Sequence, residues 1–277
     1  MEVKMDIETR NTPFICPVCG ESLFKNAKSI ACENGHSFDM ARSGYVNLLM
    51  SSQKAKQHGD DKEMIRARTE FLNRGFYNPL SEKVCEVLGK CCTKTSRIVD
   101  AGCGECKYTS DIYDSIGCET VGIDISKQAL SAAHRRARPL WLAVASASDM
   151  PIADASADAV VNIFAPFFAG EFSRILKDGG VAVRVYPLAR HLWELKALVY
   201  EKPYENPESD MNEQGFEVID KHEVKFNMEL KSPEDVRSLF AMTPYYYRTG
   251  NDDKTKLDTA SPLICSAEFG ICVYRKL

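Results

Sequence analysis

From residue 97 onward, short apolar runs that suit β-strands alternate with segments whose apolar residues recur at helical spacing. Strands are predicted at 97–101, 119–124, 140–145, 158–164 and 180–186, and helices at 107–116, 126–137 and about 168–176. The C-terminal part offers strand-like runs at 216–220, 222–230 and 266–275 and a helix at 233–241. Such alternation predicts a doubly wound α/β fold, in which right-handed crossovers build a parallel sheet with helices on both faces.

A second feature, ahead of this α/β region, is a set of residues at metal-ligand spacing. Cys16 and Cys19 form a Cys-Pro-Val-Cys knuckle, and Cys32 and His36 follow it. Three thiolates and one imidazole complete a tetrahedron, the usual coordination of structural zinc. We therefore predict a zinc-binding domain at residues 1–50, too small to fold without its metal, and a second domain at 51–277 that starts with a polar linker at 51–59.

The alternative interpretation is that these four residues are buried independently, but the proline inside the knuckle and the glycine after it favour a metal site. The remaining cysteines lack ligand spacing and are interpreted as core thiols. Cysteines in this number, without a secretory signal, indicate a reducing compartment, so a cytoplasmic protein is expected. No apolar run is long enough to predict a transmembrane helix.

The first strand of the α/β region ends in a glycine loop that runs from Asp100 through Gly102 and Gly104 to Glu105. Glycines after a strand let the backbone approach a ligand, and the next helix directs its N–H groups towards it. The dinucleotide fingerprint is incomplete because Lys107 stands at its third glycine. The order Asp-x-Gly-x-Gly is instead typical of S-adenosylmethionine enzymes, in which the acidic residue lies near the methionine amino group.

Asp124 ends the second predicted strand, where a carboxylate can accept hydrogen bonds from two ribose hydroxyls. The loop or Asp124 alone is a weak signal, and turn glycines with a helix-capping aspartate are the alternative. Together, on consecutive strands, they indicate a cofactor site.

Several longer strings of the sequence occur together in one known family. The most specific runs from the Cys/His cluster into Phe38-Asp39-Met40-Ala41-x-x-Gly44-Tyr45-Val46-Asn47-Leu48-Leu49. Others are Tyr77-x-Pro79-Leu80, the Asp100 loop, Phe164-Ala165-Pro166, Arg190-His191-Leu192-x-Glu194-Leu195-Lys196 and Met242-Thr243-Pro244. Over nearly its whole length the chain therefore resembles the bacterial 23S rRNA guanine-N1 methyltransferases of the RlmA type.

The resemblance implies a class I, Rossmann-like methyltransferase core that uses S-adenosylmethionine, behind an N-terminal zinc ribbon that recognises RNA. It also implies a homodimer whose cleft holds a hairpin of 23S rRNA. In such enzymes residues corresponding to Tyr77, Tyr108, Thr109 and His191 contact the cofactor. Two departures are Cys106-Lys107, where the family has small residues, and residues 145–149, which lack the usual carboxylate for the adenine amino group.

Methylation at guanine N1 requires a group that removes the N1 proton or stabilises the resulting anion. His191 and Asp149 are the candidates for this role. Phe164 and Phe167, after the fourth predicted strand, can stack on a flipped guanine, with core packing as the alternative.

The charge pattern leaves other functions open. Residues 41–80 hold seven basic and four acidic side chains, which suits either RNA contact or a solvated helix face. A methyltransferase for a small molecule or protein, with the zinc module as scaffold, is one alternative. A non-enzymatic zinc-dependent RNA-binding protein is the other.

Overall fold

The computed structural model describes residues 10–50, 62–247, 250 and 255–277, and within them the strands form two sheets. The small sheet is antiparallel, with its strands in chain order. Its strands are β1 (Arg10–Ile15), β2 (Ser22–Asn26), β3 (Ser29–Ala31) and β4 (Ser37–Asp39). This sheet carries the Cys/His cluster in its turns.

The large sheet has eight strands and forms the body of the molecule. They are β5 (Tyr45–Asn47), β6 (Arg97–Ala101), β7 (Glu119–Asp124), β8 (Trp141–Val144), β9 (Ala157–Ile163), β10 (Leu176–Pro187), β11 (Phe216–Leu230) and β12 (Leu263–Lys276). Their spatial order is β11-β12-β10-β9-β6-β7-β8-β5. Neighbours from β10 to β5 are parallel, and β12 pairs antiparallel with both β10 and β11.

Seven α-helices connect these strands within the described residues. They are α1 (Lys62–Asn73), α2 (Asn78–Gly89), α3 (Lys107–Ile116), α4 (Lys127–Ala133), α5 (Ala169–Ile175), α6 (Trp193–Val199) and α7 (Pro233–Ala241). The predicted doubly wound α/β fold is confirmed, with α1 and α2 preceding the first strand of the core. None of the helices in the described part of the chain has the length and apolar character needed to cross a membrane.

The small sheet packs directly on one edge of the large sheet. The N–H of Ile15 donates to the carbonyl of Pro151 over 2.9 Å, and β5 pairs with β8. Phe14 lies in one apolar cluster with Ile152 and residues of the central strands. β5 therefore belongs to the large sheet although it lies inside the predicted zinc-binding domain. The predicted linker at 51–59 falls outside the described residues, and the division at residue 50 stays a prediction.

Candidate metal centre and active site

The four predicted metal ligands lie together at the end of the small sheet. Their ligand atoms all lie within 4.8 Å of one another. The Sγ atoms of Cys19 and Cys32 are 3.7 Å apart, and Nδ1 of His36 is 3.6 Å from Sγ of Cys16 and 3.4 Å from Sγ of Cys32. Tetrahedral zinc bonds imply about 3.7 Å between sulfurs and about 3.5 Å between sulfur and nitrogen. The donor set fits zinc with no open position.

Two glycine turns bring these ligands together. Gly20 and Gly35 have φ values of +79° and +83°, a region that other residues rarely adopt. Their N–H groups donate to the carbonyls of Cys16 and Cys32 over 2.8 and 3.1 Å. Each turn therefore closes around one pair of ligands, which explains why the local spacing in the sequence predicts the site.

A cavity of about 650 Å³ opens at the carboxyl ends of β6, β7 and β9. Its walls include the predicted cofactor residues Asp100, Gly102, Gly104, Tyr108 and Asp124. This is the edge of a parallel sheet at which such folds bind their ligands.

The glycine loop shapes the floor of this cofactor cavity. Gly102 has φ of +91°, and a Cβ there would lie 2.7 Å from Cβ of Ala165. The N–H groups of Gly102 and Cys103 donate to the carbonyl of Ile123 over 2.8 and 3.1 Å. A side chain at position 102 would therefore force the loop apart from the segment after β9.

Asp100 lies beneath the loop with only 2% of its surface exposed. Its Oδ2 accepts a 2.6 Å hydrogen bond from Thr109, whereas its buried Oδ1 has no partner among the described residues. Burial, reinforced by the nearby Asp124 and Glu105, raises the pKa of Asp100 to about 7 despite the hydrogen bond from Thr109. A cationic ammonium group of a ligand would satisfy this orphaned oxygen, as the methionine amino group of S-adenosylmethionine would.

Asp124 faces the cavity from the end of β7. Its Oδ2 accepts from the N–H of Gly104 over 2.8 Å, and its Oδ1 from the N–H of Ser126 over 2.7 Å. These bonds fix the carboxylate while its remaining lone pairs can accept ribose hydroxyls. The orphaned oxygen, the glycine floor and this fixed carboxylate together fit S-adenosylmethionine.

The other predicted cofactor residues take different positions. Thr109 is fully buried behind Asp100 and contacts its carboxylate rather than the cavity, whereas Tyr108 lies in the cavity wall. The buried hydroxyl of Tyr108 has no partner among the described residues, so it is a group that a ligand can engage. Tyr77 and His191 line a neighbouring cavity instead.

This second cavity, of about 660 Å³, adjoins the first and shares a wall with it. Both are lined by Arg68, Leu72, Tyr108, Phe164 and Ala165. Its other walls are rich in aromatic side chains, namely Tyr77, Tyr186, Tyr204 and Tyr245. The second cavity is therefore an aromatic pocket that opens from the cofactor cavity.

Phe164 separates the two cavities in an unusual conformation. Its φ is +56°, and 47% of its surface is exposed. A bulky residue in the left-handed region is strained, and such strain concentrates at functional sites. Phe167 instead packs against Phe172 and Tyr274, with ring centroids 4.8 and 5.3 Å away, and lines neither cavity. The structure therefore distinguishes two rings that the sequence does not.

The two catalytic candidates differ in burial and in their position relative to the cavities. His191 is buried, and its Nδ1 accepts a 3.2 Å hydrogen bond from the N–H of Glu268. Burial lowers the pKa of His191 to about 3, so the ring is neutral and its proton resides on Nε2. Asp149 is exposed at a turn that bridges to Ser146, and it lines neither cavity.

The departures from the family pattern have local explanations. Cys106 precedes α3 with φ of +60° and points into a small apolar cluster, and Lys107 forms an ion pair with Asp111. Ser146 and Ala147 line the cofactor cavity where a carboxylate is usual. Neither departure closes the cavity.

Sequence reasoning missed Arg68, which lines both cavities from α1. Its Nε donates to Oε2 of Glu105 over 2.8 Å, and Glu105 is 3% exposed. The periodicity of α1 places residue 68 near a buried face, but only the ion pair with the glycine loop reveals its position at the site. The one sequence signal that could have indicated a site residue here was an arginine on an otherwise apolar helix face.

Known proteins match both parts of the chain. Residues 14–57 match the family model described as the RlmA N-terminal zinc ribbon, and residues 99–183 match a methyltransferase domain. The 23S rRNA (guanine(748)-N(1))-methyltransferase of Streptomyces fradiae is 30% identical over 93% of this chain and 95% of its own length.

Two further relatives are provisionally named 23S rRNA (guanine-N1)-methyltransferases. The protein of Micromonospora griseorubida is 36% identical over 65% of this chain and 67% of its own length. The protein of Bacillus subtilis is 34% identical over 68% of both chains.

An α/β core of this strand order, with a glycine-loop cofactor cavity and a zinc ribbon ahead of it, defines a zinc-containing class I methyltransferase. Its cofactors are S-adenosylmethionine and zinc. The chain belongs to the family of 23S rRNA (guanine-N1)-methyltransferases of the RlmA type.

The raised pKa of Asp100 predicts a pH-dependent affinity for the cofactor. Pairing with an ammonium group requires the ionised carboxylate, whose fraction increases as the pH rises through about 7. From pH 6 to 7.5 we expect the affinity for S-adenosylmethionine to rise roughly fivefold to tenfold, measured by calorimetry. The stability of the protein without cofactor should change in the opposite direction. Because the pKa of Asp100 is raised in the folded state, the stability that its protonated form contributes is lost as the pH rises through about 7.

Two controls isolate this effect. The Asp100→Asn variant should bind weakly with no such rise. 5′-Methylthioadenosine, which lacks the amino group, should bind the wild-type protein equally well across this pH range. A matching rise for both ligands would contradict the assignment of Asp100.

Proposed function

We propose that the protein transfers a methyl group from S-adenosylmethionine to N1 of a guanine in a hairpin of 23S rRNA. The observation that carries this proposal is the aromatic pocket that adjoins the cofactor cavity and shares Phe164 with it. The names of the relatives support guanine N1 as the target. We further propose a cytoplasmic homodimer, as the family resemblance implies.

In this proposal, Asp100 holds the amino group of the cofactor and Asp124 its ribose. Tyr108 lies between the two cavities and offers its hydroxyl to either ligand. When bound, S-adenosylmethionine supplies an electrophilic methyl group on a sulfonium sulfur. The residues around it align the acceptor atom with that group and exclude water.

The target base enters the aromatic pocket after leaving its stack. An exposed aromatic ring is a suitable platform for an unstacked base, and Phe164 provides one at the boundary of the two cavities. The ring is supported from behind by Phe269, whose centroid is 5.3 Å away. We therefore assign base stacking to Phe164 rather than to Phe167.

His191 acts as a hydrogen-bond donor in this proposal. Its Nδ1 lone pair is used by the N–H of Glu268, and its Nε2 carries the proton, so neutral His191 has no lone pair for the N1 proton. When guanine loses its N1 proton, the negative charge is shared between N1 and O6. A neutral donor that stabilises the anion at O6 lowers the pKa of guanine N1, so that its proton passes to solvent water without a protonated imidazole. Asp149 is exposed and lies outside both cavities. Its role as the general base stays a prediction from the sequence.

The test is transfer of labelled methyl groups to 23S rRNA that lacks the modification. Primer extension then locates the product, because a methyl group at N1 blocks Watson–Crick pairing and stops reverse transcription. A stop at one hairpin guanine is the expected result. Cofactor binding without any transfer to this RNA would contradict the proposal.

Replacing Phe164 by alanine should impair catalysis far more than cofactor binding. Loss of base stacking costs about 1–3 kcal/mol, so kcat/KM for RNA should fall roughly tenfold to hundredfold. Affinity for S-adenosylmethionine, measured by calorimetry, should change much less. Phe164→Trp, which keeps an aromatic face, should restore part of the activity.

The matched control for this variant is Ile264→Ala, because Ile264 is also a large exposed apolar residue but lines neither cavity. It should leave kcat/KM unchanged. Equal activity of Phe164→Ala and the wild-type protein would exclude Phe164 as the stacking platform.

A further inference from the structure

Lys196 is a fully buried lysine on α6 that neither cavity includes in its lining. In the part of the chain that the structure describes, its ammonium group forms no ion pair with a carboxylate. Its Nζ donates instead to the carbonyl of Tyr204 over 3.0 Å and to Oδ1 of Asn206 over 2.8 Å. Glu205 of the neighbouring segment attracts this charge without forming an ion pair with it. A buried cation with no carboxylate at ion-pair distance is costly and requires an explanation.

Both partners of Lys196 belong to the segment 200–209, which forms one wall of the aromatic pocket. Tyr204, Asn206, Pro207 and Ser209 all line that pocket. Nζ also lies 4.8 Å from the ring centroid of Tyr204 and 5.3 Å from that of Tyr245, a second residue of the pocket. The cation therefore contacts the back of the wall at three points and Tyr245 at a fourth.

The segment has little regular structure of its own to hold it in place. Residues 203–213 belong to no helix or strand. Asn206 is anchored further by its N–H to the carbonyl of Ala189 and by its Nδ2 to the carbonyl of Leu188, both over 2.8 Å. Leu188 and Ala189 lie three and two residues before His191, and the carbonyl of Leu188 also accepts from the N–H of His191, so the anchor of Asn206 connects the wall to the candidate catalytic histidine.

We propose that Lys196 is a positioning residue that holds the segment 200–209 as a preformed wall of the target-base pocket. This inference rests on the proposed function of that pocket. Lys196 does not touch the substrate; it aligns Tyr204 and Asn206, which do. Because its contacts involve only the second cavity, it sets the affinity for RNA and leaves cofactor binding unchanged.

The decisive variant is Lys196→Met, which keeps an unbranched side chain of nearly the same length and removes the charge and both hydrogen bonds. Hydrogen bonds from a charged group are strong enough that we expect the KM for rRNA to rise roughly tenfold to hundredfold. The calorimetric affinity for S-adenosylmethionine should match that of the wild-type protein. Lys177→Met, which removes an exposed lysine paired with Asp158, is the control and should change neither quantity.

A second measurement follows the wall directly. The segment contains Glu201, Glu205 and Glu208, so a protease that cleaves after glutamate reports its release. In the Lys196→Met variant, cleavage within the segment should accelerate roughly tenfold or more, because exposed flexible backbone is cut fastest. Lys196→Arg, which keeps the charge, should recover part of both readouts.

The double variant with Asn206→Ala tests the contact itself. Because Asn206→Ala also removes the Nδ2 bond to Leu188, the double variant should raise KM above Lys196→Met alone, but by less than the product of the two single effects. Unchanged cleavage and unchanged KM in Lys196→Met would overturn the inference, as would a loss of cofactor affinity equal to the loss of RNA affinity. If the wild-type protein fails to methylate rRNA, the proposed function fails, and the cleavage assay still decides whether Lys196 holds the wall.

Discussion

Replacing Cys32 by serine is expected to remove zinc from the protein and to abolish methyl transfer to RNA. Cys32 supplies one of four ligand atoms that lie within 4.8 Å of one another, and the small sheet has only three-residue strands at β3 and β4. Structural zinc contributes about 10–16 kcal/mol to the folding of comparable small modules. Such a module cannot stay folded without the ion, so metal analysis should find zinc reduced from one per chain to nearly none.

The structure predicts that this loss reaches the cofactor cavity as well. The segment after β8 carries Ser146 and Ala147 in the cavity wall, and a few residues later it contacts the small sheet. There the carbonyl of Pro151 accepts from Ile15, and Phe14 bridges to Ile152. Unfolding of the zinc ribbon therefore removes the support of this wall. We expect the affinity for S-adenosylmethionine to fall roughly threefold to tenfold, about the effect of one lost packing or hydrogen-bond contact.

Cys91→Ser is the control, because it makes the same substitution at a thiol outside the metal cluster; Cys91 is exposed, whereas Cys32 is buried. This variant should keep one zinc per chain and wild-type cofactor affinity. If Cys32→Ser retained its zinc, the proposed ligand set would be wrong. If it lost zinc but bound the cofactor normally, the ribbon would not support the cavity wall.

The features that depend on nearby residues were predictable from the sequence. The metal ligands are set by two short turns, and α3 was predicted with the bounds 107–116 that it has in the structure. Its end is determined locally, because Gly117 adopts φ of +72° and returns its N–H to the carbonyl of Tyr113. Asp100 and Asp124 were equally predictable from the sequence, since each lies at the end of a clearly apolar strand.

The features that depend on distant pairing were not predictable. Strand β5 has three residues and forms only because β8 offers it an edge. The runs 216–220 and 222–230 form one strand, β11, because its partner β12 continues across an irregularity between Val218 and Asp220. The aromatic pocket is the feature that depends most on residues distant in sequence. Its lining comes from segments as far apart in sequence as Met64, Tyr108, Tyr186 and Tyr245, which only the folded chain brings together.

Replacing Asp124 by alanine should weaken binding of S-adenosylmethionine roughly a hundredfold or more. Each hydrogen bond from a ribose hydroxyl to the carboxylate is worth about 1.5–3 kcal/mol, and the variant loses two. It also leaves the N–H groups of Gly104 and Ser126 without their acceptor, so the glycine loop loses an anchor at the cavity. The substitution adds no bulk, and thermal unfolding should confirm that the fold is kept.

The control is Asp178→Ala, which removes a fully exposed aspartate far from both cavities and should bind the cofactor normally. The Asp124→Ala variant should still show an affinity that rises with pH, because that rise comes from Asp100. The rise should shift to lower pH, since the charge of Asp124 is one of the causes that raise the pKa of Asp100. It should also bind 5′-methylthioadenosine poorly, since this ligand keeps the ribose hydroxyls although it lacks the amino acid group and the sulfonium charge. Wild-type affinity for both ligands would refute the ribose assignment, whereas weak binding of S-adenosylmethionine alone would place Asp124 at the methionine end of the cavity.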